Sequence, residues 1–235
     1  MFLVNKKTNE AFSLSYDDEV AESPRWNDNL GTLWLFDSAS QSDDGNHPQC
    51  MGDALVKLIG EQDYQRLIDP DYHRYESLKD QFYRLGYKHG YLLQPVTRYE
   101  HSQVRYYRGA GFGFDYAICG VIFAPLEDVR QEYGVKRITK KTCQLVMDNF
   151  DKELETFTDY ANGDVFTLNY YDDASEDTPT EAMYEIYLSG GEFPEDPHTI
   201  YQYAKDYYGN EIGDEKDWVA TESLEDQEMM EQVLN

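Results

Sequence analysis

The sequence predicts an α+β protein: an antiparallel sheet with helices packed on one side, in two closely packed lobes. The expected boundary leaves residues 1–110 as an N-terminal lobe and 111–235 as an acidic C-terminal lobe. Three observations point there. Strand-length stretches recur between turn signals, and helix-length amphipathic segments lie among them. A chain of 235 residues with 40% hydrophobic and 15% aromatic content also has enough apolar surface to fill a sizeable core.

The elements follow in order. Phe12 to Tyr16 alternates apolar and polar residues and Thr32 to Phe36 is a short apolar run, so both read as strands. Ser38 to Gln49 is polar around Asp43-Asp44-Gly45-Asn46 and reads as a loop. Helices are expected over Asp53 to Ile68 and Tyr72 to Leu85, separated by Asp69-Pro70-Asp71. Tyr91 to Val96, Val104 to Tyr107 and Ala117 to Phe123 read as strands, and Pro125 opens a short helix, Leu126 to Tyr133, that Gly134 closes.

The clearest helix runs from about Thr139 to Ala161. At 100° per residue Cys143, Val146, Met147, Phe150, Leu154, Phe157 and Ala161 share one stripe, while Asp148, Asp151, Glu155 and Asp159 share the opposite one. Its charges oppose the helix dipole, with Lys140 and Lys141 at the positive end and Glu155 and Asp159 near the negative end. Val165 to Tyr171 and Met183 to Leu188 then form an expected hairpin around the acidic loop Asp172, Asp173, Glu176, Asp177. A Tyr-rich helix from Pro197 to Tyr208 and a terminal helix from Ser223, carrying Glu225 and Glu228, complete the chain.

Charge is the most informative property. Of the formal −26, the stretch from Thr142 to Asn235 holds 25 acids against three bases, a net of −22. Self-repulsion of that size opposes compaction, so the field points to a basic protein partner and excludes DNA and RNA as direct ligands. Duplex DNA carries one charge per about 1.7 Å of axis, so such a surface is comparable with roughly eleven base pairs. Asp148, Asp151, Glu155, Asp159, Asp172, Asp173, Glu176, Asp177, Glu225 and Glu228 are the expected partner-binding residues.

Catalytic and cofactor patterns are weaker. The five histidines lack HExxH spacing, His47-Pro-Gln-Cys50 is half of a metal motif, and Gly109 to Gly113 leads into a strand rather than a helix N-terminus. Asp214-Glu215-Lys216 has the shape of a nuclease metal motif, but a polyanionic substrate would meet the surrounding negative field. No catalytic residue, cofactor or metal is expected. Three cysteines without close spacing fit a reducing compartment, and no apolar stretch approaches a membrane span, so a cytoplasmic location in a host bacterial cell is expected.

The middle of the chain resembles a known family. Tyr99-Glu100-His101-Ser102, Asp115 leading to Gly120-Val121-Ile122-Phe123, Glu132 to Lys141, and Glu153 to Phe166 resemble small acidic proteins encoded by phages, plasmids and conjugative elements of Gram-positive bacteria. The family's Trp-Asp-Ser-Gly stands here as Phe114-Asp115-Tyr116-Ala117. The resemblance implies a mobile-element setting, in which acidic proteins serve as antirestriction or anti-CRISPR inhibitors. The expected function is blockage of the nucleic-acid groove of a CRISPR effector or restriction nuclease by acidic mimicry. The alternative is an immunity protein capping a basic toxin; a carboxylate-based metal hydrolase is the third reading.

Overall fold

The computed structural model describes residues 1–17, 23–26, 28–37, 47–69, 77–111, 113–187 and 196–222. Its elements are β1 (Phe2–Asn5), β2 (Ala11–Tyr16), β3 (Thr32–Leu35), α1 (Met51–Ile59), α2 (Glu61–Ile68), α3 (Leu78–Lys88), β4 (Tyr91–Glu100) and β5 (Val104–Arg108), followed by β6 (Tyr116–Pro125), α4 (Leu126–Glu132), α5 (Lys140–Asn162), β7 (Val165–Tyr171), β8 (Glu181–Tyr187), α6 (Pro197–Tyr208) and β9 (Trp218–Thr221). The class is α+β, with antiparallel sheets flanked by helices.

The chain divides into two compact units, one of Met1–Ala21 with Gly163–Asn235 and one of Glu22–Asn162. The boundary expected near residue 110 falls between β5 and β6, which share one sheet. Long-range pairing explains the difference: β2 pairs with β7 and β1 with β9, so the N-terminal strands join the C-terminal segment.

The first unit is a five-stranded sheet in the order β8-β7-β2-β1-β9. Alternation along β2 sends Phe12 and Leu14 to one face, where they meet Leu168, Ile200, Tyr201 and Trp218. Ile200, Tyr201 and Ala204 form the buried stripe of α6, which Asp196 caps by accepting the His198 N–H at 3.1 Å.

The second unit is a four-stranded sheet in the order β3-β6-β4-β5, covered on both faces. Leu92 and Ile122 pack against Val146, Phe150 and Leu154 of α5, while Leu93, Phe123 and Trp34 pack against Leu55 of α1 and Phe82 and Leu85 of α3. The sequence reading expects helices on one side of the sheet. Here adjacent residues such as Leu92 and Leu93 are both fully buried, which requires apolar cover on each face. Gly120 permits close strand approach, since a Cβ there would collide with the Trp34 carbonyl. The helix expected over Asp53 to Ile68 is two helices, broken at Gly60 with φ of 76°.

Two buried carboxylates fasten this unit. Glu153 of α5 takes the Arg25 guanidinium at 3.0 Å, the Leu30 and Gly31 N–H groups at 3.0 and 3.1 Å, and Asn149 Nδ2 at 2.9 Å. It ties the entry to β3 onto α5. Asp63 of α2 accepts from His89 Nε2 at 2.7 Å, Lys88 Nζ at 2.5 Å and Arg66 Nη1 at 3.0 Å, joining α2 to the end of α3. His89 and Lys88 hold its carboxyl well below the usual carboxylate range.

Glu153→Ala removes the carboxylate that balances the buried Arg25 guanidinium, and is expected to cost about 3–5 kcal/mol. The exposed Asp148→Ala changes stability by less than about 0.5 kcal/mol; urea unfolding of both variants checks the contrast. Because the folded pKa of Asp63 is depressed, its contribution is present above the unfolded value of about 3.9 and is lost as pH falls toward the folded one. The stability gap between the natural chain and Asp63→Asn is therefore wide at neutral pH and closes in acid, as urea unfolding at a series of pH values measures.

Candidate partner-binding surface

The charge segregates by unit. Residues 1–21 and 163–235 hold 24 acids and four bases, a net of −20, whereas residues 22–162 hold 22 acids and 16 bases, a net of −6. The second unit has cations enough to pair most of its acids. The first does not.

The densest exposed acids in the first unit lie on the β7–β8 connection. Ala174, fully buried, pins this loop, and its N–H bonds the Asn9 carbonyl at 2.7 Å. Asn9 adopts a left-handed φ of 64°, a conformation Asn tolerates, and its Nδ2 donates to Asp173 Oδ1 at 2.9 Å. The Ser175 N–H and hydroxyl donate to the same oxygen at 2.8 and 2.7 Å, which lowers the Asp173 pKa. Asp172 accepts from the Thr180 hydroxyl at 2.8 Å. With the loop so held, Asp172, Asp173, Glu176 and Asp177 all face solvent.

Two acids that sequence reading passed over are joined to the aromatic residues of the same sheet. Tyr170 donates to Glu10 at 3.0 Å and Tyr208 to Glu181 at 3.1 Å, and both rings pack on Phe12. Burial and the Glu10 carboxylate push the Tyr170 phenol up to about 12. The β2–β7 register, Phe12 opposite Tyr170, is what brings these groups together. Tyr184 and Tyr207 are exposed, while Tyr171 and Tyr201 belong to the core.

The acid stripe of α5 is less uniform than its periodicity implies. Asp148 and Glu155 are exposed. Asp151 is also exposed, but Arg108 of β5 grips it with two bonds of 2.8 and 2.5 Å, so its charge is largely neutralised within the chain. Asp159 is buried, only 5% exposed, and does not belong to a solvent ridge. The C-terminal half of α5 bonds β5 through Thr158 and Asn162, to Tyr106 and Val104, so its surroundings extend beyond a single apolar stripe. Glu153, which the sequence did not single out, lies at the border of that stripe and is buried in its pair with Arg25. Glu225 and Glu228 lie outside the described residues.

Among the described residues no group of three His, Cys, Asp or Glu side chains is placed to hold a metal ion. Cys119 and Cys143 are buried, and burial pushes the Cys119 thiol up to about 12, far from the thiolate a nucleophile needs. No described helix is long and apolar enough to cross a membrane. No protein-family model, curated protein or solved structure matches the chain.

The anchoring of the acidic loop is open to a direct test. Asp173→Ala removes the acceptor for Ser175 but leaves the Ala174–Asn9 backbone bond intact. Amide exchange at Ser175 is expected to accelerate by about tenfold, consistent with loss of one hydrogen bond, while Ala174 keeps its protection.

Proposed function

We propose that this chain is an anti-defence protein of a phage or mobile element, which binds a CRISPR effector or restriction nuclease and fills its nucleic-acid groove with carboxylates in place of phosphates. One observation carries this reading: the −20 concentrated in the unit of residues 1–21 and 163–235, with Asp172, Asp173, Glu176 and Asp177 facing solvent. Twenty charges correspond to about 34 Å of duplex axis. A groove lined by Lys and Arg gains the same counterion release from such a surface as from nucleic acid. The family resemblance of Tyr99 to Phe166 supports the mobile-element setting, and the site of action is the host cytoplasm.

The contact set is narrower than the ten acids read from the sequence. Asp172, Asp173, Glu176 and Asp177 carry most of it, Asp148 and Glu155 extend it, Asp151 and Asp159 are engaged within the fold, and Glu225 and Glu228 enter through their charge alone.

The test is inhibition of a reconstituted nuclease. Half-inhibition is expected at a protein concentration that tracks the enzyme, with release by excess duplex and by raising salt from about 50 to 300 mM. Replacing Asp172, Asp173, Glu176 and Asp177 by Asn or Gln weakens inhibition at least about tenfold, equivalent to roughly 1.4 kcal/mol. A salt-insensitive complex, or one that holds this protein and nucleic acid together, contradicts groove filling. Neutralisation of a co-encoded toxin without any effect on nucleases assigns the immunity reading instead.

A further inference from the structure

Among its described residues, the second unit leaves part of a sheet edge open. β3 pairs with β6 from Thr32 opposite Phe123 to Leu35 opposite Gly120, and the last rung is the Phe36 N–H bonded to the Cys119 carbonyl at 2.8 Å. β6 continues past this point to Tyr116, paired with β4 on its other side. The Glu100 N–H bonds the Asp115 carbonyl at 3.0 Å, so Asp115 and Ala117 direct their backbone groups to β4. Alternation then turns those of Tyr116 and Ile118 to the edge that β3 does not reach. Among the described residues nothing pairs with that edge.

Beside it is an open cavity of about 370 Å³, with Phe36, Met51, Phe114 and Ile118 among its walls. Phe114 is fully exposed and Ile118 is 42% exposed, a concentration of apolar surface in a chain of strongly negative charge. At the polar side of the cavity Arg98 reaches Asp37 Oδ2 at 3.2 Å and Glu100 at 2.8 Å. Arg98 Nε and Asp37 Oδ1 remain buried without a hydrogen-bond partner. Asp37, Glu100 and Asp115 outnumber Arg98, so the cavity favours a positively charged occupant.

We infer that the edge of β6 at Tyr116 to Ile118, with this cavity, receives an extended basic segment of the protein partner, added as a strand beside β6. This rests on the proposed reading of a basic partner and names where its chain docks. Main-chain bonds to Tyr116 and Ile118 give the segment its direction, an apolar side chain enters the cavity, and basic side chains meet the three carboxylates.

The probe is an acetylated eight-residue peptide of alternating Lys and Val. Its Glu-Val counterpart and a copy N-methylated at every residue, which keeps the charge but loses the main-chain donors of both edges, serve as controls. Affinity is read by fluorescence anisotropy of labelled peptide, and location by amide exchange of the full-length protein. The Lys-Val peptide is expected to slow exchange at Tyr116 and Ile118. The Glu-Val peptide is expected not to bind, and N-methylation to weaken binding at least about tenfold, as loss of main-chain bonds implies. Ile118→Pro, which removes an N–H on the open edge and leaves the Ala117 pairing with β4, has the same effect, with the fold checked by circular dichroism. Equal binding of the N-methylated peptide, or protection confined to the acidic loop of residues 172–177, overturns the proposal. So does a concentration-dependent dimer that protects Ile118 without peptide, which assigns the edge to a second copy. Edge binding that persists while nuclease inhibition fails overturns the proposed function and leaves the docking site standing.

Discussion

A net charge of −26 on 235 residues repels itself, and the placement of cations decides where that repulsion is relieved. The second unit brings two acids into its interior with cationic partners: Glu153 with Arg25, and Asp63 with Arg66, Lys88 and His89. The surface pair of Asp151 with Arg108 follows the same rule at lower gain. In the first unit four bases face 24 acids, and most of its described carboxylates are left in water, where screening limits their cost. The stability of that unit must come from its apolar contacts, above all Phe12, Leu168, Ile200 and Trp218 beneath α6.

This division separates two tasks. The buried acids Glu153 and Asp63 are structural, and removing Glu153 takes the balancing carboxylate from the buried Arg25 guanidinium. The solvent-facing acids in the first unit balance no buried cation, and the proposed reading assigns their number to recognition. The connection from Asp172 to Asp177 shows how a fold can keep like charges together: Ala174 packs inward, Asn9 and Ser175 donate to Asp173, and Thr180 donates to Asp172. Donors satisfy the carboxylates without neutralising them.

Elements with strong local signals were legible in the sequence. The apolar stripe of α5, the Pro197 start of α6 and the alternation of β7 each identify the element within a residue or two. β1 and β9 carry only four residues each, too few for a period, and depend on pairing with one another across the length of the chain. The same nonlocality hid the division into units. Helical arithmetic placed Asp148 and Glu155 correctly but not Asp159, because it registers a single packed face and not the bonds that Thr158 and Asn162 make to β5. Conversely, Glu153 looked like one more surface acid, since nothing local announces that Arg25, far away in sequence, will reach it.

The central claim is that the two units respond oppositely to their charge, one held despite repulsion and the other held partly by ion pairs. Amide exchange on the full-length chain, followed from about 0.02 to 0.5 M salt, measures this directly over a range in which the Debye length falls several-fold. The account predicts that amides of β2 and β7 become better protected as salt screens the −20, while those of β4 and β6 stay constant or lose protection as pairs such as Arg108–Asp151 weaken. A uniform response of both sheets, or loss of protection in β2 and β7 with added salt, would contradict it.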